Sequence, residues 1–360
     1  LHLGLLDSMS PSLSPFDIRA WRRYGASWTH AMRLIAGTVV LVTALVVLTI
    51  LSLGLGAGSL ADPVLRSTLL SLRASRLACA LLVGAALGVA GVVVQGLFQN
   101  PLADPSVLGT SSGAALGGKI ALVASELVLA GHGAHAIPAD VVLPVGCMAG
   151  ALLSLALILG LARRSSDTLS LILTGFLLSS LFLALGSLVT SMAQDRWELG
   201  RAVVAFSLGD LTGAGPQHVA LAAPLVLVGI AASWFWARPL DLLLCGDEEA
   251  ASLGVNVDQV RLCCVLWVAA LTAGAVAIGG NIGFVGLLVP HALRPLLGVD
   301  HRRLIPVAAL GGAVFVAACD LVVRVLPARG VVPLGVITGL VGAPAFLALL
   351  VRGQKRGSFA

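Results

Sequence analysis

The sequence is poor in charge. Only 11% of its 360 residues are Asp, Glu, Lys or Arg, against roughly 25% in a soluble domain, so there is too little polar side chain to clothe a water-exposed globule. Cysteine is scarce in the arrangements that matter. Cys79, Cys147, Cys263, Cys264 and Cys319 lie within apolar runs and Cys245 beside one, with no C-x-x-C spacing; a zinc-ribbon or disulfide framework is excluded in favour of small core residues. A cleavable leader pattern is missing from the first 30 residues. There, "FDIRAWRRYGASWTH" sets Trp21, Tyr24 and Trp28 among arginines, which suits either a segment at the membrane interface or a solvated tail.

What is present is apolar: 58% of residues are hydrophobic and the mean hydropathy is +1.02. A bilayer-crossing helix takes about 20 such residues, and about ten runs qualify: 34–54, 76–98, 106–130, 141–162, 169–192, 216–236, 260–280, 282–298, 304–324 and 332–351. The expected architecture is all-α and polytopic. Residues 1–33 form a cytoplasmic or interfacial segment, 34–351 the ten-helix membrane domain and 352–360 a cytoplasmic tail. With the N-terminus inside, Arg19, Arg22, Arg23, Arg33, Arg163, Arg164, Arg238, Arg261 and others fall in inner segments. The outer side holds about half as many basic residues, among them Arg66, Arg73, Arg76, Arg196, Arg201, Arg324 and Arg329, the asymmetry expected when both termini are cytoplasmic. The net charge of +5 thus reports topology and not a nucleic-acid partner.

Two motifs imitate nucleotide chemistry. "GAALGGKI" (113–120) follows G-x-x-x-x-G-K-[ST] until Ile120 replaces the magnesium-binding hydroxyl, and "AVFVAACD", ending at Asp320, imitates an apolar strand with its aspartate. A working phosphate loop needs a strand before it and an aqueous cleft; both stretches lie inside spans. No ATPase site is expected in the chain. His132 and His135 form H-x-x-H in "GHGAHAIPAD", a spacing that reaches a metal or haem, or an ordinary Gly-rich loop; no metal centre is expected.

Glycine carries packing information. Gly84, Gly88 and Gly91, and again Gly109, Gly113 and Gly117, recur at or near four-residue spacing, which lets membrane helices approach backbone to backbone. Between these sets, "QGLFQNPLADPSVLGTSSGAALG" (95–117) places Gln95, Asn100 and Asp104 with two prolines at a helix junction. Such backbone must be buried in protein or line a water-filled cavity. Residues 88–109 also lie weakly on 277–298, pairing Gly91 with Gly280, Pro101 with Pro290 and Gly109 with Gly298, as a duplicated helical unit would.

Four stretches, 73–117, 242–255, 280–324 and 333–350, resemble in order and spacing the membrane permease family of type II ABC importers, which take up iron–siderophores, haem and cobalamin. The resemblance implies ten helices per subunit, a homodimer with the pathway on its axis, two separate cytoplasmic ATP-binding subunits and a periplasmic binding protein. It implies no cofactor in this chain, ATP being bound by the partner. Arg73, Arg76 and Arg324 match arginines that meet acidic residues of the binding protein; headgroup anchoring is the other reading. Arg73 and Arg76 share a helix face at i, i+3, although Ala74-Ser75 stands where the family has a proline. Asn100 with Leu102, and Asp167 with Thr168, match two inner constrictions, Asp167 serving equally as a helix cap. Gly246, Asp247, Glu248, Glu249, Ala250, Leu253 and Gly254 match the helix that couples to the ATPase, and "PHALR" (290–294) its support.

Gln95 and Lys119 are the remaining candidates for the translocation path. Lys119 lies about twelve residues into its span, where a charge is costly; it either draws an anionic group of the cargo or merely snorkels. An ion-coupled secondary transporter would instead rely on Glu126 or Asp320. A membrane scaffold would have no use for the polar 95–105 turn.

Overall fold

Helix starts are written locally in this chain. Asp62 precedes Pro63 and accepts from the Val64 N–H at 2.9 Å, Asn256 accepts from Gln259 N–H at 3.0 Å, and Asp300 accepts from Arg302 N–H at 3.0 Å. Each is a side-chain N-cap, the first backed by a proline whose missing N–H costs nothing there. The computed structural model describes residues 18–56, 61–131, 139–162, 168–326 and 332–355. Among the described residues there are thirteen α-helices and no strand: α1 (Ile18–Gly54), α2 (Pro63–Leu97), α3 (Thr110–Gly131), α4 (Ala139–Ala162), α5 (Thr168–Ala193), α6 (Trp197–Leu208), α7 (Pro216–Phe235), α8 (Ala237–Leu243), α9 (Asp247–Ser252), α10 (Val257–Gly279), α11 (Val285–Leu297), α12 (His301–Val325) and α13 (Leu334–Lys355).

The all-α polytopic expectation holds. Among the described residues eight helices are long and apolar enough to cross a membrane; α3, with Lys119 inside it, and the 13-residue α11 occupy the other two expected positions. At 1.5 Å per residue α11 spans only about 20 Å, short of a hydrocarbon core of about 30 Å. The short helices α6 and α8 were not anticipated, and α2 begins 13 residues ahead of its expected start. His132, His135, Arg163, Arg164 and Asp167 lie outside the described residues, as do residues 1–17 and 356–360.

Helix α2 runs through the middle of the bundle against α7, α10, α11 and α12. Its buried face is made of Cys79, Ala80, Val83, Ala86, Val89, Ala90 and Val93, small side chains that leave room for close neighbours. The glycine reading is confirmed at atomic detail. A Cβ on Gly84 would overlap the Gly312 carbonyl of α12, one on Gly88 the Ala308 carbonyl, and one on Gly91 the Gly286 carbonyl of α11. Gly113 and Gly117 of α3 meet Gly150 and Gly146 of α4 reciprocally in the same way. The would-be phosphate loop is therefore an uninterrupted helix whose glycines face another helix.

Where helices stop inside the bundle, other elements answer their backbone. Asp210 N–H donates to the Gly279 carbonyl at the end of α10, Asn281 N–H to Phe206 O in α6, and Leu334 N–H, opening α13, to Gly209 O. Gly280 turns there at φ 67°. The proposed repeat fails at this point: Gly91 lies mid-helix whereas Gly280 ends one, although Gly109 and Gly298 both adopt positive φ, 65° and 77°.

Introducing Gly117→Val is expected to destabilise the α3–α4 pair by about 1–3 kcal/mol, the usual cost of overpacking, whereas Gly339→Ala, with nothing within 4 Å of the new methyl, is expected to be neutral. Thermal unfolding of the detergent-solubilised protein distinguishes them; equal midpoints would refute the backbone contact.

Candidate functional sites at the two ends of the bundle

Because α2 and α12 run antiparallel as packed neighbours, the start of α2 lies by the end of α12. Arg73, Arg76 and Arg324 lie at this end, each bonded to the end of α1 or to Asp320. Arg73 turns toward α1: its guanidinium donates to the carbonyls of Leu53 (2.8 Å), Gly54 (3.1 Å) and Gly56 (3.1 Å). The Leu53 and Gly54 carbonyls end α1, where a cation is favoured electrostatically. Arg76 Nε donates to Asp320 Oδ1 and Arg324 Nε to Asp320 Oδ2, both at 2.8 Å, and Arg324 reaches the Ser52 carbonyl at 2.9 Å. The Asp320 side chain is 1% exposed, Arg324 6% and Arg76 18%.

Asp320 is thus neither part of a nucleotide fold nor an isolated carboxylate awaiting a proton; two guanidinium groups hold it. Glu126, the other carboxylate considered for ion coupling, is exposed on α3. The cluster of three arginines and one aspartate keeps a surplus of positive charge.

At the opposite end, α2 closes in a Schellman turn. Asn100 N–H donates to Gln95 O at 3.1 Å and Gln99 N–H to Gly96 O at 3.2 Å, the paired bonds of that motif. The left-handed position, normally glycine, is Gln99 at φ 49°; a side chain there costs about 1–2 kcal/mol. Asn100 Oδ1 accepts from Leu102 N–H at 2.9 Å, Asp104 Oδ1 from Ser106 N–H at 2.9 Å, and the turn Pro105–Leu108 leads to Gly109. Leu102 is 46% exposed. Thr168 opens α5, while its proposed gate companion Asp167 is not among the described residues. Gln95 corrects the reading as a path residue: it is buried, and its Nε2 donates to Gly286 O at 3.2 Å, joining α2 to α11.

Beside this turn lie α8 and α9. Gly246, at φ 115°, and Gly254, at φ 84°, bracket α9. Ala250 is fully buried while Leu253 is 64% exposed, and Glu248 and Glu249 are exposed. Asp247 takes two hydrogen bonds from Arg261, at 2.8 and 3.0 Å, fixing α9 to α10. In α11, His291 of the 290–294 stretch stands edge-on to Phe346 at 5.4 Å.

Residues with no marker in the sequence complete this end. Asp241 of α8 accepts from both the backbone N–H and Nδ1 of His301, at the start of α12. Trp234 donates to Arg302 O at 3.1 Å, with the Arg302 guanidinium 4.7 Å over its ring. Gln99 Nε2 donates to Leu243 O at 2.6 Å. Only the non-glycine helix end at Gln99 was a usable signal, and it requires knowing where α2 stops.

Lys119 lies mid-α3, half-buried, with Nζ donating to the Gly186 carbonyl of α5 at 3.2 Å. The lysine stem lies beside Gly186, and Thr190 Oγ1 shares the carbonyl at 2.8 Å. The cysteines are free thiols, and among the described residues no cluster is suited to a metal.

Membrane-length helices, breaks answered internally and the short helices α8 and α9 at one end define a polytopic membrane protein. The chain belongs to the FecCD transport family, whose model matches residues 27–352. It is 39% identical over 329 residues to the hemin transport system permease protein HmuU of Yersinia pestis, covering 87% of this chain and 96% of that protein. It is 37% identical over 282 residues to the cobalamin import system permease protein BtuC of Halobacterium salinarum, covering 78% and 72%. A solved chain described as an inward-facing, metal-chelate type ABC transporter matches with a TM-score of 0.77 at 32% identity, covering 88% of this chain and 99% of that one. The resemblance to ABC importer permeases is thereby established.

Asp320→Asn is expected to lower the unfolding free energy by about 3 kcal/mol, because a buried and a partly buried guanidinium group lose their counter-charge. Adding Arg76→Met should recover part of the loss in a double-mutant cycle. Strict additivity of the two would show that Arg76 and Asp320 do not interact.

Proposed function

We propose that this chain is the permease subunit of an ATP-driven importer that moves an iron chelate, a siderophore complex or haem, across the bacterial inner membrane by alternating access. It works as a homodimer with two ATP-binding subunits in the cytoplasm and a binding protein outside. The observation that carries this reading is α9: a short acidic helix, seated on the buried Ala250 and presenting Glu248, Glu249 and Leu253 outward, at the end of the bundle where the polar 98–105 turn lies. That geometry suits a plug for a groove on a soluble partner.

In this reading α8, α9 and both termini are cytoplasmic, in keeping with the basic-residue asymmetry. Asn100 and Leu102 form one constriction, with Asp167 and Thr168 forming a second. The arginine cluster faces outward, and its surplus charge favours acidic residues of the binding protein; Arg76, the least buried of the three, is the contact most open to it. Nucleotide state and docking act by favouring different conformations. No residue of this chain does covalent chemistry. Lys119, already on the Gly186 carbonyl, adds positive charge beside the path and favours anionic cargo.

An iron chelate is supported by the hemin-named relative, which aligns along most of both chains, and by the metal-chelate description of the solved transporter. Cobalamin is the second reading, supported by the relative named for its import.

Reconstituted with its ATP-binding subunit and binding protein, the permease is expected to take up ferric chelate or haem only with a hydrolysis-competent partner. Uptake that survives an ATPase-dead partner but collapses with an uncoupler would overturn the importer. Saturable uptake of cobalamin with none of iron chelates would select the second reading.

A further inference from the structure

One oxygen atom joins the two features of the α8–α9 end that would have to communicate. The Leu243 carbonyl closes α8 and accepts the Gly246 N–H, the residue that caps α9, at 3.1 Å. It also accepts the Gln99 side-chain amide at 2.6 Å. Gln99 is the left-handed residue of the turn that leads directly into Asn100 and Leu102. Helix α9 packs on α8 and α10, and both of these touch α2. The route through α8 is the one that ends on a side chain of the 98–105 turn.

The identity of the residue at this point is the second clue. Glycine is the ordinary occupant of a Schellman left-handed position, and a longer side chain held there against its backbone preference marks a place where the side chain is needed. The need is visible, since the Gln99 amide spans from α2 to the last carbonyl of α8. Gln99 itself is exposed; the tight contact lies one turn earlier. Gly96 has no room for a Cβ against Leu240 of α8 and the His301 ring, and His301 is in turn fixed to Asp241 of α8. Helix α8 is thus clamped to the starting end of α12 and the closing end of α2 together.

We propose that Gln99 is a positioning residue that transmits movement of α9 to the 98–105 turn, through the Leu243 carbonyl it shares with Gly246. The proposal rests on the reading of α9 as the element engaged by the ATP-binding subunit. It assigns the link to one side chain and not to the bundle as a whole.

Gln99→Gly tests it, because glycine keeps the positive φ, relieves its strain and removes the side chain together with its amide. The variant is expected to melt no lower than the parent. In proteoliposomes holding the assembled importer it should hydrolyse ATP at a rate within about twofold of the parent, while cargo moved per ATP falls about tenfold, within the usual span of a coupling free energy. Amide hydrogen exchange supplies the readout that a merely structural role would not move. In the parent, trapping the nucleotide-bound state should change exchange in both 243–254 and 98–105; in Gln99→Gly only 243–254 should respond. Gln99→Asn, which tolerates the same backbone but falls short of Leu243, should behave alike. Unchanged transport per ATP with a preserved 98–105 response would overturn the link. If 243–254 fails to respond even in the parent, the error lies in the role given to α9, and the link falls with it.

Discussion

Every interruption of this bundle is governed by one constraint: in hydrocarbon, a backbone polar group without a protein partner is too costly to leave. The chain breaks its helices often, and among the described residues several breaks are met by named partners. The last carbonyls of α1 receive the Arg73 guanidinium. The ends of α6 and α10 and the start of α13 exchange hydrogen bonds among Phe206, Gly209, Asp210, Gly279, Asn281 and Leu334. The end of α2 folds back on Gln95 and Gly96. Among the described residues, irregular backbone at 98–109, 209–215 and 280–284 lies where helices converge, and polar side chains gather there.

The same constraint explains the use of a small stock of charge. Arginine, with several donors in a planar fork, serves more than one acceptor at once. Arg324 holds both Asp320 and the Ser52 carbonyl, tying α12 to α1, while Arg76 carries the tie on to α2. A buried ion pair of this kind adds little net stability over apolar packing, but it specifies which helix ends meet. Apolar faces alone discriminate weakly among neighbours, so the few charges fix the arrangement and the glycines set its closeness.

Much of this was legible in the sequence because it is local. Apolar run lengths located the long helices, four-residue glycine spacing located the α2 and α3 contact faces, and the acidic stretch at 246–254 located α9. Partners were not legible. Arg76 and Asp320 lie 244 residues apart, and nothing in either neighbourhood names the other, so Asp320 read as a decoy and Arg73 as a surface group. Gln95 looked like a lining residue because polarity near a helix end points equally to a cavity and to the carbonyl of Gly286. The helices α6 and α8 escaped notice because each is short and continuous in composition with what adjoins it. At Gln99 the meaning of the residue depends on a dihedral angle, which spacing does not reveal.

Helix α12 joins these themes. It is 25 residues long, about 37 Å at 1.5 Å per residue. His301 at one tip is bonded to α8, and Arg324 at the other belongs to the arginine cluster. The groups at the two faces of the molecule are therefore mounted on a single rod, pinned at both tips by ionisable side chains and seated along its length on the glycines of α2. Movement at one tip is thus felt along the length of the helix, with Pro306 near its start the place where it bends most readily.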